Sequence, residues 1–485
     1  MAAKLDNFSM IIFGAGGDLT SRKLIPAIYK LVKLGSIPAD FRLIGVDQLE
    51  YDHETFREAI KNKVKTLSLE TVDRDFENFC RQHLLYVKGT FEDETTYSLL
   101  DQQIKEIEDK KGMCDNLLYY LATPPSAAPL IIKGLALVGL NGKAKECQGW
   151  RKIIIEKPFG SDFSSAKKLN EIVDKAFMEE QIYRIDHYLA KETVQNILVF
   201  RFGNGMFEPL WNSQYIDRVE ITIAEDFGVM HRGAYYEQAG LIRDIVQNHG
   251  LQLLAMIAME APQSLKADAI RNEKVKIFKA IKRGNPSETL KNVVIGQYEG
   301  YRQEENVSPQ SEVETFAAIK FLIENRRWNK VPFFVRAGKN LARELTEIII
   351  HFKHPTHEFF GHAGMHAEAN QIIIQIQPEE KISILFGAKR PGEEIVMDPV
   401  YMEFNYKKSF LQKEITPYHL LILQAIEGDQ TRFIRKDGVE ECWKIIDKIK
   451  DSLKGMRPIV YPIKSWGPEE SNKLLERDGF AWRLK

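Results

Sequence analysis

Between Tyr183 and Asn196 the chain reads YRIDHYLAKETVQN, which sets Arg184, Asp186, His187, Lys191 and Glu192 within nine positions. His187 and Lys191 stand four apart, a spacing that predicts one shared helix face with Tyr188 alongside. A cation, an imidazole and a phenol converging on one spot suit an anionic group such as phosphate, which Asp186 would repel. The same residues also fit a solvated helix start, with Asp186 near the N-terminus for dipole reasons. Farther along, GLIRDIVQNHGLQLLAMIAME carries an apolar stripe of Ile242, Ile245, Val246, Leu253, Met256 and Ile257, and His249 falls inside it. Alone, such a histidine reads as a satisfied core residue. With a carboxylate held against it, it becomes a general base competent near neutral pH, and Asp186 is the candidate partner.

A second group of residues suits a dinucleotide. MIIFGAGGDLTSRKLIP reads as a strand, a turn at Gly14, Gly16 and Gly17, and a helix starting near Asp18 or Leu19. Glycines let backbone approach a pyrophosphate, and the free N–H groups of the helix face its charge. Leu19 occupies the third position of G-x-G-x-x-G, so the pattern is incomplete and a purely structural turn stays open. Arg22 and Lys23, one turn on, could add phosphate contacts. FRLIGVDQLEY ends in Asp47, where an acid accepts hydrogen bonds from both ribose hydroxyls, repels a 2′-phosphate and so favours NAD over NADP. The alternative is a loop aspartate capping the next turn. RKIIIEKPFG runs an apolar strand into Lys157, either placed to meet substrate and nicotinamide or closing the strand as a solvated lysine.

The elements that must position these groups follow from periodicity. SMIIF, RLIGV, LLYYLA and KIIIEKP are continuous apolar runs alternating with helix-like stretches, as in a parallel sheet wrapped by helices. A doubly wound α/β domain is expected over residues 1–185. QIIIQIQ, KISILF and VYMEFNYK approach strict alternation, which predicts a mostly antiparallel sheet in an α+β domain over residues 186–485. A long helix is expected from about Ala239 to Met259. In TPYHLLILQAIEGD, Thr416 reads as N-cap, Pro417 as the first helical residue and Gly428 as the stop. KGMRPIVYPIKSWGPEES reads as a packed tail.

Composition narrows the class. At 485 residues the chain exceeds one ordinary core, so two large domains are expected. Lys plus Arg is 67 and Asp plus Glu 68, a net charge of -1, so no global field points to nucleic acid or an anionic membrane, and any anion site is local. Cys80, Cys114, Cys147 and Cys442 show no metal spacing and suggest thiols in a reducing compartment, with the cytoplasm as the default. Neither a signal peptide nor a membrane span is indicated.

Taken together, GAGGDLTSRK, EKPFG, RIDHYLAKETVQN, IRDIVQNHGLQ, FFVRAGKNL, IQIQP and SWGPEES occur in the order seen in the glucose-6-phosphate dehydrogenase family, which the chain resembles from Ile11 to its C-terminus. The resemblance implies a Rossmann-like N-terminal domain and a larger domain whose big sheet makes a homodimer interface, with tetramers as a further step. It implies oxidation of β-D-glucose 6-phosphate to 6-phospho-D-glucono-1,5-lactone, the opening step of the oxidative pentose phosphate pathway, without a metal. In that reading His249 is the base, Asp186 its dyad partner, and His187, Tyr188 and Lys191 hold the phosphate. Lys157 sits between sugar and cofactor, Glu225 and Asp244 bind sugar hydroxyls, and Lys339 contacts the substrate. The family's usual cofactor is NADP and some members use NAD; here Asp47 and Gln48 stand where a basic residue is usual, which favours NAD or dual use. Glu344, Gly250 and Gln375 also depart from the usual basic residue, leucine and arginine. The rival readings are a dehydrogenase for another anionic hexose and a catalytically silent dinucleotide-binding regulator.

Overall fold

A computed structural model describes residues 5–68, 72–111, 116–142, 149–355, 368–410 and 416–484. The runs read as buried strands form β1 (Phe8–Phe13), β2 (Arg42–Asp47), β4 (Asn116–Leu121) and β5 (Arg151–Ile155), joined by β3 (Leu84–Lys88) and β6 (Ile182–Ile185). They lie in the order β3-β2-β1-β4-β5-β6, all parallel, and a short strand at Phe433–Ile434 runs antiparallel to β6. Every residue of β1 is buried, which is why its sequence shows no alternation. The order reverses beside β1, where such sheets open a crevice for ligands.

Helices pack on this sheet, among them α1 (Ile25–Lys33), α2 (His53–Leu67), α3 (Arg74–His83), α4 (Glu94–Lys111), α5 (Ala128–Leu137) and α6 (Phe163–Ala176). Asp52 opens α2 through a reciprocal cap with Thr55, and Asp162 does the same for α6 with Ser165. The helix Pro417–Glu427 has Thr416 as N-cap and left-handed Gly428 (φ 88°) as its stop, as its sequence indicates. It packs Leu421, Ile422 and Ala425 into the same apolar cluster as β1. Two compact units result: Met1–Ala190 with Leu265–Asp268 and Glu414–Val439, and the remainder, Lys191–Ser264, Ala269–Lys413 and Glu440–Lys485.

Among the parallel strands, β3 and β6 escape the periodicity reading. β6 is the informative one, because IYRI opens the stretch read as a helix start, and all four of its residues are buried. Arg184 hides the strand signal; its guanidinium is satisfied by Glu179 (2.7 Å) and Asn170 (3.1 Å). The consequence is that Asp186 leaves the carboxyl end of a sheet strand.

The second unit is built on β7 (Ile216–Ala224), β8 (Val293–Tyr298), β9 (Phe316–Leu322), β10 (Pro332–Gly338), β11 (Leu345–Phe352), β12 (Gln371–Gln377), β13 (Lys381–Lys389) and β14 (Met397–Asn405). Their order is β14-β13-β12-β11-β7-β10-β9-β8, ending on Ile459–Tyr461. Neighbours are antiparallel except β7 with β10 and β8 with that last strand. The C-terminal tail is packed, with Tyr461 and Trp482 buried. Cys80 and Cys442 are buried thiol positions, whereas Cys114 and Cys147 lie outside the described residues. Among the described residues no helix is long and apolar enough to cross a membrane.

The helix expected from Ala239 to Met259 is interrupted. The preceding helix breaks at Gly240 (φ 66°, ψ 170°), and residues Ile242–Gly250 are π-helical before α-helical Leu251–Ala258. The break is capped from a distance by the buried Glu314: its carbonyl accepts the Leu241 amide at 3.0 Å and its Oε1 the Ile242 amide at 3.3 Å. Lys450 Nζ holds both carboxylate oxygens at 3.1 and 3.0 Å. A Cβ at residue 240 would stand 2.8 Å from Glu314 Oε1, so glycine is needed for space as well as for φ. Glu314→Ala should strand Lys450 and the Ile242 amide and cost about 2 kcal/mol. Denaturant unfolding checks this, and an unchanged midpoint would contradict it.

Candidate active site

In the first unit the glycine turn and Asp47 form one hydrogen-bonded piece. Gly14 follows β1 with φ 82°, and a Cβ there would strike the Ala122 carbonyl at the end of β4. Its amide donates to Val46 O (3.0 Å), and the Gly17 amide closes the turn on Gly14 O (3.0 Å). The Gly16 amide donates to Asp47 Oδ2 at 2.8 Å and the Gln48 amide to Oδ1 at 2.8 Å. Tyr86 Oη lies 2.8 Å from both Asp47 O and Leu49 O and shares its one proton between them, fixing the end of β2. A Cβ at Gly16 would meet Leu49 and Asp47, so the cradle admits backbone only, as close approach of a pyrophosphate requires. Helical backbone begins at Asp18, and Leu19, in place of a third glycine, packs on the apolar core. Arg22 pairs with Asp18 at 2.8 Å and Lys23 is exposed, so the added phosphate contact expected of Arg22 competes with an existing ion pair.

Lys157 stands two residues past β5 and Asp186 one past β6, its neighbour in the sheet. Glu156, between β5 and Lys157, accepts Tyr120 Oη at 2.6 Å, and burial pushes its carboxyl above the usual range. Asp186 is 1 % exposed; its Oδ1 accepts the Tyr188 amide at 3.0 Å and its carbonyl the Leu189 amide at 3.0 Å. These bonds wind His187–Ala190 into a short 3-10 turn, with the His187 and Tyr188 ring centroids 5.0 Å apart. The shared helix face expected of His187 and Lys191 is therefore not formed. Lys191 has extended backbone (φ -75°, ψ 136°) and precedes a new helix, α7 (Glu192–Phe202), because the aspartate-anchored turn runs out after one revolution.

The second unit carries the other expected residues. β7 and β10 are parallel neighbours, so Glu225 and Lys339, each one residue past its strand, leave the same edge. Lys339 Nζ meets Glu225 Oε2 at 2.5 Å and lies over the rings of Tyr236 (5.2 Å) and Phe227 (5.5 Å). The lysine is buried while Glu225 keeps 27 % of its side chain exposed, leaving a carboxylate edge for hydroxyl groups. Asp244 and His249, buried at 3 % and 1 % exposure, both sit on the π-helical segment. Tyr235 Oη donates to Asp244 Oδ1 at 3.2 Å, and burial followed by the Asp244 charge raises the Tyr235 pKa. Asn248 splints the segment, donating to Asp244 O (2.9 Å) and accepting the His249 amide (2.5 Å). Lys191 belongs to this unit, where burial first and Glu192 second raise the Glu380 carboxyl while Lys191 opposes them.

The departures find places too. A Cβ on Gly250 would sit 3.4 Å from Val335 of β10, an ordinary contact, and nothing in the structure explains the glycine. Glu344 accepts Gln377 Nε2 at 2.9 Å, and Gln375 pairs in register with Glu347. Sequence reading missed Glu314, Lys450, Tyr235 and Asn248; only Tyr235 and Asn248 lie near enough in sequence to the site helix for spacing to have flagged them.

Comparison with known proteins places the whole chain in one family. Residues 11–196 match the family profile described as glucose-6-phosphate dehydrogenase, NAD binding domain, and residues 198–483 that of its C-terminal domain. The chain is 42% identical to the glucose-6-phosphate 1-dehydrogenase of Aggregatibacter actinomycetemcomitans, covering 99% of this chain and 98% of the relative. It is 40% identical to that of Chlamydia pneumoniae over 98% of this chain and 95% of the relative. A solved glucose-6-phosphate dehydrogenase in complex with its substrate glucose-6-phosphate superposes with a TM-score of 0.89 at 33% identity, covering 99% of this chain and 100% of the other. The chain belongs to the glucose-6-phosphate dehydrogenase family.

Proposed function

We propose that the protein oxidises β-D-glucose 6-phosphate at its anomeric carbon and releases 6-phospho-D-glucono-1,5-lactone. The observation that carries this reading is the match along 99% of the chain to proteins named glucose-6-phosphate 1-dehydrogenase. A nicotinamide dinucleotide, when bound, accepts the hydride leaving the anomeric carbon. The residues present fit it: the side-chain-free cradle at Gly14, Gly16 and Gly17, the helix start at Asp18 and Leu19, and Asp47 at the end of β2.

In this reading His249 removes the anomeric hydroxyl proton as the carbon–hydrogen bond breaks, so the C–O bond becomes a carbonyl without a free oxocarbenium. Asp186 orients that imidazole and stabilises its cation. His187, Tyr188 and Lys191 hold the phosphate, and anchoring so far from the reacting carbon supplies orientation. Glu225, paired with Lys339, and Asp244 accept sugar hydroxyls, with Lys157 set where sugar and dinucleotide meet. Asp47 favours NAD, because its carboxylate suits a free ribose diol and repels a 2′-phosphate.

The protein also assembles as a dimer through the large sheet. Supporting this, the edge strand β14 leaves Tyr401 and Met402 54% and 61% exposed. Light scattering at micromolar concentration should give twice the chain mass, and a single-chain mass would overturn the assembly. His249→Asn should lower kcat by roughly 10³-fold while glucose 6-phosphate still binds within about threefold of the parent. Turnover near the parental rate would remove His249 from the chemistry.

A further inference from the structure

We infer that Lys63 is a second determinant of cofactor choice, supplying from α2 the cation that the end of β2 lacks and so allowing a 2′-phosphate to be used. The inference rests on the dinucleotide site proposed above. Its basis is a three-part arrangement around one glycine: Lys63 Nζ donates to Gly16 O at 2.5 Å, while the Gly16 amide donates to Asp47 Oδ2 at 2.8 Å. The ammonium and the carboxylate are thus tied to opposite ends of the same residue, at the point where an adenosine ribose meets a Rossmann turn.

The lysine is held there by its helix. Asp52 and Thr55 fix the start of α2, Phe56, Ile60 and Val64 bury one face against the sheet, and Arg57 donates to Leu84 O at 3.0 and 2.9 Å. Lys63 stands one position before the buried Val64, on the flank facing the glycine turn. Of the other cations nearby, Arg22 pairs with Asp18, Lys61 with Glu58 and Lys88 with Glu50, while Lys23 is exposed on the helix after the turn. Lys63 forms no ion pair among the described residues, and a carbonyl uses one of its three donors. Asp47 and Lys63 therefore act in opposite senses on a 2′-phosphate. The carboxylate sets the preference for NAD, and the ammonium softens it toward dual use.

Lys63→Gln keeps a hydrogen-bond donor for Gly16 O and removes the charge, which separates the two roles. Initial rates should show kcat/KM for NADP falling roughly tenfold, mostly through KM, with NAD within about twofold. Lys63→Arg should retain most NADP use, and added salt should shrink the difference between parent and Lys63→Gln. Equal effects of Lys63→Gln on both cofactors, or none on either, would overturn the inference; equal losses would mean that the lysine only supports the turn. Asp47→Ala, measured alongside, should raise NADP use. If it leaves the NAD-to-NADP ratio unchanged, the Asp47 reading fails, whereas Lys63 is still judged by its own ratio.

Discussion

Parallel strands that are neighbours end together, and much of the chemistry proposed for this protein draws on residues that stand where they end. A strand buried on both faces cannot carry an ionisable group without a partner, so polar chemistry collects at the first residues to leave the sheet. Gly14 follows β1, Asp47 closes β2, Lys157 and Asp186 follow β5 and β6, and Glu225 and Lys339 follow β7 and β10. The second unit obeys the same rule although its sheet is mostly antiparallel, because β7 and β10 form a parallel pair within it. An antiparallel pairing would have sent Glu225 and Lys339 to opposite edges and denied the buried Lys339 its counter-charge.

The remaining positions depend on departures from regular helix. Asp244 and His249 are five apart, a spacing that a π-helical segment brings onto one face more closely than an α-helix would. The segment follows a break at a positive-φ glycine and is pinned by the Glu314–Lys450 pair, so the geometry of the proposed base is set by residues far away in the chain. In the first unit Asp186 has a comparable role, spending one oxygen on the turn that presents His187 and Tyr188.

Local chemistry was legible in the sequence wherever neighbours in the chain decide it. The glycine turn, Asp47 at the end of β2, the Thr416–Gly428 helix and the alternating strands β12 to β14 all follow from spacing and residue type. β6 was hidden because Arg184 looks like a surface residue until Glu179 and Asn170 are seen around it. The 3-10 turn after Asp186 broke the expected His187–Lys191 face because a side chain competes with regular helix for the Tyr188 amide. Glu314 meets Lys450 across 136 positions and Lys63 meets Gly16 across 47, and no periodicity links residues so far apart. With a net charge of -1, the chain gives no compositional hint of where its few decisive cations stand.

Initial rates of nicotinamide reduction by the purified protein, with β-D-glucose 6-phosphate and with NAD and NADP side by side, test the proposed reaction most directly. Reduction should depend on glucose 6-phosphate and proceed with a higher kcat/KM for NAD than for NADP. The absence of glucose 6-phosphate-dependent reduction with either cofactor would contradict it.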